Sequence, residues 1–401
     1  MAHMRYLRRL GTIALAGAMC NLGAHAQQIK TVFVIAMENH NWTQPAQLTG
    51  GIQQIFQNPN APFINSLVNG TAYAVINDHT VNISEQTAYA TAYHNVLATP
   101  SGNNPDIHPS EPNYLWAEAG TNFGVFNDND PFGTAGTNQN TPLHLTALLS
   151  KAGKTWKSYQ EDIDLARNDA GQLINVPLPE NQQTVPLASS SGVFGSNSIN
   201  DFNGASQFNY AAKHNPMVFF TDTNGGNNAT TSNPLSHQYA PLQQFFSDLA
   251  NNTVADYNWI TPNQYNDMHT SLTGGFKGLT GDAANIRQGD DFLKQIIPVI
   301  MASKAYKDHG AIILWWDESE SDGVAGDKPD DFSHTVGEIV ISSRAHKNVK
   351  GLPYASPVNL THSSDLRTMQ EIFHVGPFLG DAANATDLSD LFDPGAVPKK
   401  P

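Results

Sequence analysis

Residues 30–37 read KTVFVIAM and are followed at once by Glu38 and Asn39. The run is continuously apolar, rich in β-branched residues and too short for a typical helix, a combination that suits a strand buried on both faces. A second run of the same kind, AIILWW at 311–316, ends just as abruptly at Asp317 and Glu318. Residues 217–220 and 338–342 read as further strands, with 254–260 as a fifth. Helical segments fall between them: 142–152 behind a Thr141 cap, 241–251, 290–302, and 365–374 with Ser364 as cap and Gly376 just past its end. Apolar strands alternating with amphipathic helices predict an α/β sandwich with a mostly parallel sheet. Ligands in such folds gather at the carboxyl ends of the strands. Two strands that each end in a polar pair therefore point at one place.

The chain has 401 residues, 40% apolar and 14% charged, enough to bury a large core. Its formal charge is -15. Such a surface repels nucleic acid and anionic membrane, and it would repel a phosphorylated substrate unless the site supplied a local cation. Residues 1–26 have the parts of a signal peptide: Arg5, Arg8 and Arg9, an apolar run LGTIALAGAM, and Ala24-His25-Ala26 as a cleavage site. Export to the periplasm or medium is expected, with 27–401 as a single domain. The only cysteine, Cys20, falls in that leader, so the mature chain should carry neither a disulfide nor a cysteine metal ligand. No later stretch is long and apolar enough to cross a membrane as a helix. Residues 178–209 and 223–236 are rich in Asn, Ser, Gly and Pro and read as loop insertions. No Gly-x-x-x-x-Gly-Lys-Ser/Thr loop and no Gly-x-Ser-x-Gly elbow is present, which removes P-loop and α/β-hydrolase readings.

Glu38, Asn39, Asp317 and Glu318 would present three carboxylates and an amide oxygen at one sheet edge, hard ligands suited to a divalent cation of unspecified identity. Either pair alone is equally well explained as the polar end of a strand. Ser110, in HPSEPNY, reads first as the cap of a helix continuing to Gly120. A serine there also meets the positive end of the helix dipole, where backbone N–H groups can hold a phosphoryl oxygen, and a nearby metal would activate its hydroxyl. Among 15 histidines, the candidates are His214 in AAKHNP, His269 two residues after Asp267, His334, His362 and His79. Each alone is more often a structural histidine than a catalytic one.

Seven segments in order, VIAMENHNW, HPSEPNYLWAEAG, LLSKAGKTWKSYQED, KHNPMVFF, WITPNQYNDMH, ILWWDESE and THSSDLRTMQEIF, resemble the bacterial and fungal phosphoesterases that include secreted acid phosphatases and phosphatidylcholine-type phospholipases C. The resemblance implies an alkaline-phosphatase-like three-layer sandwich. It also implies a metal held by Glu38, Asn39, Asp317 and Glu318, with Ser110 as both ligand and nucleophile. Asn113 would bind a phosphoryl oxygen, and His214 and His269 match active-site histidines, either of which could protonate the leaving group. His79 is a further match, and Asp267, His334 and His362 would matter most for a second metal. Met268 departs from the glycine that many relatives carry between the Asp and the His. PSEPNY and the chain length lean toward the acid phosphatases. The expectation is a metal-dependent hydrolase of small phosphate monoesters acting through a phosphoserine. A phospholipase C-type phosphodiesterase, with Trp42, Trp116, Trp315 and Trp316 lining its site, and a non-catalytic metal- or phosphate-binding protein are the alternatives.

Overall fold

A computed structural model describes residues 28–44, 53–95, 108–131, 136–320, 334–348 and 350–399. The expected signal peptide, with Cys20, lies outside these residues. An eight-stranded sheet organises the chain: β1 Thr31–Met37, β2 Thr87–Ala90, β3 Trp156–Gln160, β4 Tyr239–Pro241, β5 Tyr257–Thr261, β6 Gly310–Trp316, β7 Glu338–Ser342 and β8 Tyr354–Ser356. Its order is β4-β3-β5-β1-β6-β7-β2-β8. Every neighbouring pair is parallel except the two that β7 makes, so β7 alone runs against the rest. The expected α/β fold with a mostly parallel sheet is the fold observed.

The KTVFVIAM segment forms the centre of this sheet. β1 pairs with β5 on one side and β6 on the other, and Val32, Phe33, Ile35, Ala36 and Met37 are all buried. Burial on both faces is what demands an unbroken apolar run rather than an alternating one. The main helices are α1 Pro62–Asn69, α2 Ser110–Ala119, α3 Leu145–Lys151, α4 Leu242–Asn251, α5 Gly281–Ala302 and α6 His362–Ile372. No helix among the described residues is long and apolar enough to cross a membrane.

Five details differ from the sequence expectation. Residues 217–220 are not a strand: Pro216–Phe219 is a 3-10 turn started by Pro216, with the Val218 N–H on Asn215 O, and it is fully buried. A short apolar run does not by itself separate a buried strand from a buried helical turn. α3 begins at Leu145 rather than at 142, because His144 is held extended by ion pairs to Glu118 and Asp222. α5 starts at Gly281, well before 290. In α6 the cap is Thr361, and Ser364 completes a reciprocal capping box from the third helical position. The segments expected to be loop insertions are partly structured: Ser190–Val193 pairs with Gln207–Tyr210 as a hairpin, and a 3-10 turn occupies Glu180–Gln182.

Candidate active site

The register of the central strands builds the site. Met37 of β1 faces Trp316 of β6, so Glu38 and Asp317 leave the sheet side by side. The backbone locks the two exits together: Asp317 N–H donates to Met37 O at 3.2 Å, and Glu38 N–H donates to Asp267 O at 2.9 Å. Asn39 N–H then donates to Asp317 Oδ1 at 3.1 Å. The loop after β5 thus brings Asp267 beside the ends of β1 and β6.

Ser110 arrives from above this edge on α2. It is not the cap; Pro109 is, and Ser110 is the first helical residue. Its Oγ is therefore free of the helix end and donates to Glu38 Oε2 at 3.1 Å, with Asn39 Oδ1 at 3.4 Å. Pro112 is tolerated because a first-turn residue has no intrahelical N–H bond to lose. The helix stops at Gly120, φ 67°, where a Cβ would lie 2.6 Å from Leu379 O. All ten residues of α2 are buried, so the helix is a core element that presents its N-terminus to the sheet edge.

Two residues one turn along α2 complete its inward face. Tyr114 donates its hydroxyl to Glu38 Oε1 and stacks on His214, ring centroids 5.1 Å apart. Asn113 donates Nδ2 to Glu318 Oε2 at 3.1 Å. Glu318 is also reached by His108 Nδ1 at 3.0 Å and Asn39 Nδ2 at 3.2 Å, while Glu320 accepts the same Asn39 amide at 2.7 Å. Glu318 is thus saturated by neighbours that orient Asn39 and Asn113.

Glu38, His214 and Asp267 are buried and each offers a donor atom within 4.8 Å of the others. His214 Nε2 is 3.2 Å from Glu38 Oε1 and its Nδ1 is 3.5 Å from Asp267 Oδ2, yet neither ring nitrogen is aligned for a hydrogen bond. Asp267 Oδ2 and Asp317 Oδ2 are likewise buried without one. Burial, followed by the charge of Asp317, pushes the Glu38 carboxyl well above its ordinary range. Burial also raises Asp267 and, with Glu318 next in importance, Asp317. Burial and then Lys213 hold His214 well below the usual imidazole value. Buried carboxylates with unpaired oxygens, beside a neutral imidazole with open nitrogens, fit a divalent metal. Glu38, Asp267 and His214 would hold it, with Asp317, Asn39 and Ser110 alongside.

The other expected residues fall at different depths. His269 is half-buried at the rim, its ring 6.0 Å from that of His214, its backbone N–H on Asp267 Oδ1 and its Nδ1 on Thr270 Oγ1. Burial, then Lys213, lower it to about 4. Met268 between them is buried at φ 87°, in the left-handed region that favours glycine, and its side chain fills the space beside Gly289 of α5, where a Cβ would run into it. His362 lies behind the site, its Nε2 on Asp317 O at 2.5 Å and its Nδ1 on Tyr93 Oη and Trp315 Nε1. Burial lowers its pKa to about 3, so the ring is neutral and holds the Asp317 backbone as a donor. His334 is buried, and its backbone bonds the His94 ring. His79 is not brought to the site. Asn77 and Asp78 take positive φ and turn a hairpin that leaves His79 exposed and paired with Ile76. Trp42, Trp116, Trp315 and Trp316 are buried in packing rather than open to a ligand.

Sequence reading passed over Tyr114, His108, Glu320 and Lys213. Tyr114 was within reach, since a residue four after Ser110 shares its helix face. Lys213 adjoins His214, but its role depends on Asp128, far away in sequence.

The chain is 25% identical over 293 residues to a probable acid phosphatase of Kluyveromyces lactis, covering 71% of this chain and 55% of that protein. It is 32% identical over 171 residues to an acid phosphatase of Aspergillus fumigatus, 42% and 30% of the two chains. The chain thus spans about half or less of these fungal relatives. A phosphatidylinositol-3-phosphatase of Mycobacterium tuberculosis is 25% identical over 378 residues, 94% of this chain and 88% of that one. Among solved structures, an alkaline phosphatase superfamily protein from Vibrio parahaemolyticus superposes on 91% of this chain and 72% of its own, with TM-score 0.42 and 10% identity. Residues 103–376 match the model of the Phosphoesterase family, and the chain belongs to that family.

Proposed function

We propose that this protein is an exported, metal-dependent phosphomonoesterase of the acid phosphatase kind, working through a phosphoserine at Ser110. One observation carries the reading: Ser110 Oγ, at the N-terminus of a buried helix, is hydrogen-bonded to Glu38 Oε2 within the Glu38, His214 and Asp267 cluster. The fungal relatives named as acid phosphatases, and the mycobacterial phosphatidylinositol-3-phosphatase aligned over nearly the whole chain, support a phosphate monoester as substrate.

When bound, a divalent cation supplies a Lewis acid that lowers the Ser110 hydroxyl pKa and neutralises phosphoryl charge. Glu38 Oε2 orients the Ser110 Oγ and is the acceptor for its proton. Ser110 Oγ forms a bond to phosphorus as the bond to the leaving oxygen breaks, and that oxygen takes the electron pair and a proton. His269 is the donor for that proton, because it stands at the rim while His214 faces the carboxylates. Water then attacks phosphorus, giving a proton to His269, as the Ser110 Oγ–phosphorus bond breaks; Oγ takes the electron pair and recovers its proton from Glu38, and phosphate leaves. Asn113, oriented by Glu318, and the positive end of α2 face the phosphoryl oxygens. A dianionic substrate beside His269 lifts its low pKa toward the working range, so activity should fall as pH rises past the pKa of the bound complex.

Ser110→Ala tests this on a chromogenic phosphate monoester, with folding checked by Tm. Turnover should drop by at least about three orders of magnitude while the fold persists. A folded variant with near wild-type turnover removes Ser110 from the mechanism.

A further inference from the structure

Three carboxylates crowd the candidate metal cluster, and the surface as a whole is acidic, so a phosphate dianion entering this site faces a field of its own sign. One cation answers it. Lys213, immediately before His214, is largely buried, and its Nζ lies 2.8 Å from Asp128 Oδ2. The other oxygen of that carboxylate, Oδ1, accepts the N–H of Glu111 at 3.1 Å. Glu111 follows Ser110 directly, so its N–H belongs to the helix N-terminus that carries the nucleophile. Lys213 and the first turn of α2 therefore grip the two oxygens of one carboxylate, which sets the lysine beside the helix start that carries Ser110. Lys213 also directly precedes His214, whose ring stacks on Tyr114 of the same helix.

We propose that Lys213 is the residue that selects phosphate monoesters over diesters, by pairing its ammonium with the second negative charge that only the monoester dianion carries. The proposal rests on the phosphoesterase reading of the Ser110 site. An ammonium has three donors, and Asp128 engages one of them, leaving the others for phosphoryl oxygens. A diester monoanion has less charge to satisfy and gains less from the pairing. Asp128 positions the lysine beside the helix terminus. The dipole of α2 and the lysine then act on the same end of the substrate.

The test compares wild type, Lys213→Met and Lys213→Arg on p-nitrophenyl phosphate and bis(p-nitrophenyl) phosphate, which share a leaving group. Metal content, Tm and the inhibition constant for inorganic phosphate are measured in parallel. Lys213→Met should lower kcat/KM on the monoester by roughly 10- to 100-fold, the loss of one charge-assisted hydrogen bond. The loss should appear mainly in KM and in the phosphate inhibition constant, with a clearly smaller loss on the diester and substantial recovery in Lys213→Arg. Equal losses on both esters, no loss, or a loss that tracks metal content or Tm overturns the proposal. Should wild type hydrolyse neither ester, the phosphoesterase reading itself fails. Inorganic phosphate binding then decides Lys213: weaker binding by Lys213→Met supports its anion role, and equal binding overturns it.

Discussion

Replacing His144 with asparagine tests how the helix carrying the nucleophile is anchored. His144 is wholly buried between Glu118 of α2, 3.0 Å from its Nδ1, and Asp222, 2.8 Å from its Nε2, and it stacks on Phe220. Burial opposes its charge, but hydrogen bonds to Asp222 and Glu118 outweigh burial and raise its pKa to about 9. The unfolded value is about 6.5. The folded state therefore binds the extra proton between these values, so this contribution is complete below about pH 6.5 and is lost as pH rises through about 9. A shift of that size corresponds to about 3 kcal/mol. Asp222 is 45% exposed, and solvent screening of that half of the bridge brings the expectation to about 2 kcal/mol. Urea unfolding of wild type and His144→Asn at about pH 6 and about pH 9.5, each with saturating divalent metal, measures it. Wild type should lose about 2 kcal/mol more stability over that range than the variant. The same slope in both proteins refutes a charged His144 and, with it, the proposed anchor of α2.

Two further outcomes follow from the site. Asp267→Asn removes a buried carboxylate from the cluster and should weaken divalent metal binding at least about tenfold, read by titration or by metal retained after dialysis; unchanged affinity removes Asp267 from the ligand set. His362→Leu deletes the donor behind Asp317 and should cost roughly 10- to 100-fold in metal affinity, while His362→Gln, whose amide can still donate to that carbonyl, should lose less; wild-type affinity in both variants makes the contact incidental.

Much of the fold was legible because β1 and β6 are buried on both faces, a condition that writes itself into sequence as unbroken apolar runs. Their polar ends were legible for the same reason: Glu38 and Asp317 stand where each run stops, and parallel pairing makes neighbours of them. What failed depended on partners far away in sequence. The 217–220 run looked like a strand because burial is shared by strand and turn, and Asn215 and Pro216 decide between them. The first turn of α3 was lost to His144, whose ion pairs to Glu118 and Asp222 come from two other segments. The resemblance left the proton donor open between His214 and His269, and the position of His214 between Glu38 and Asp267 suits a ligand. Ser110 was readable as a helix terminus, yet only the structure places Pro109 at the cap and turns the hydroxyl toward Glu38.

The central claim is that Ser110 becomes phosphorylated during turnover. Acid quenching of the metal-loaded protein while it hydrolyses a phosphate monoester, followed by peptide mass spectrometry, reads this directly. The account predicts a phosphoryl adduct on the peptide containing Ser110, absent from Ser110→Ala and cleared when substrate is exhausted. Sustained turnover with no adduct at any quench time or pH, together with an active Ser110→Ala, contradicts it.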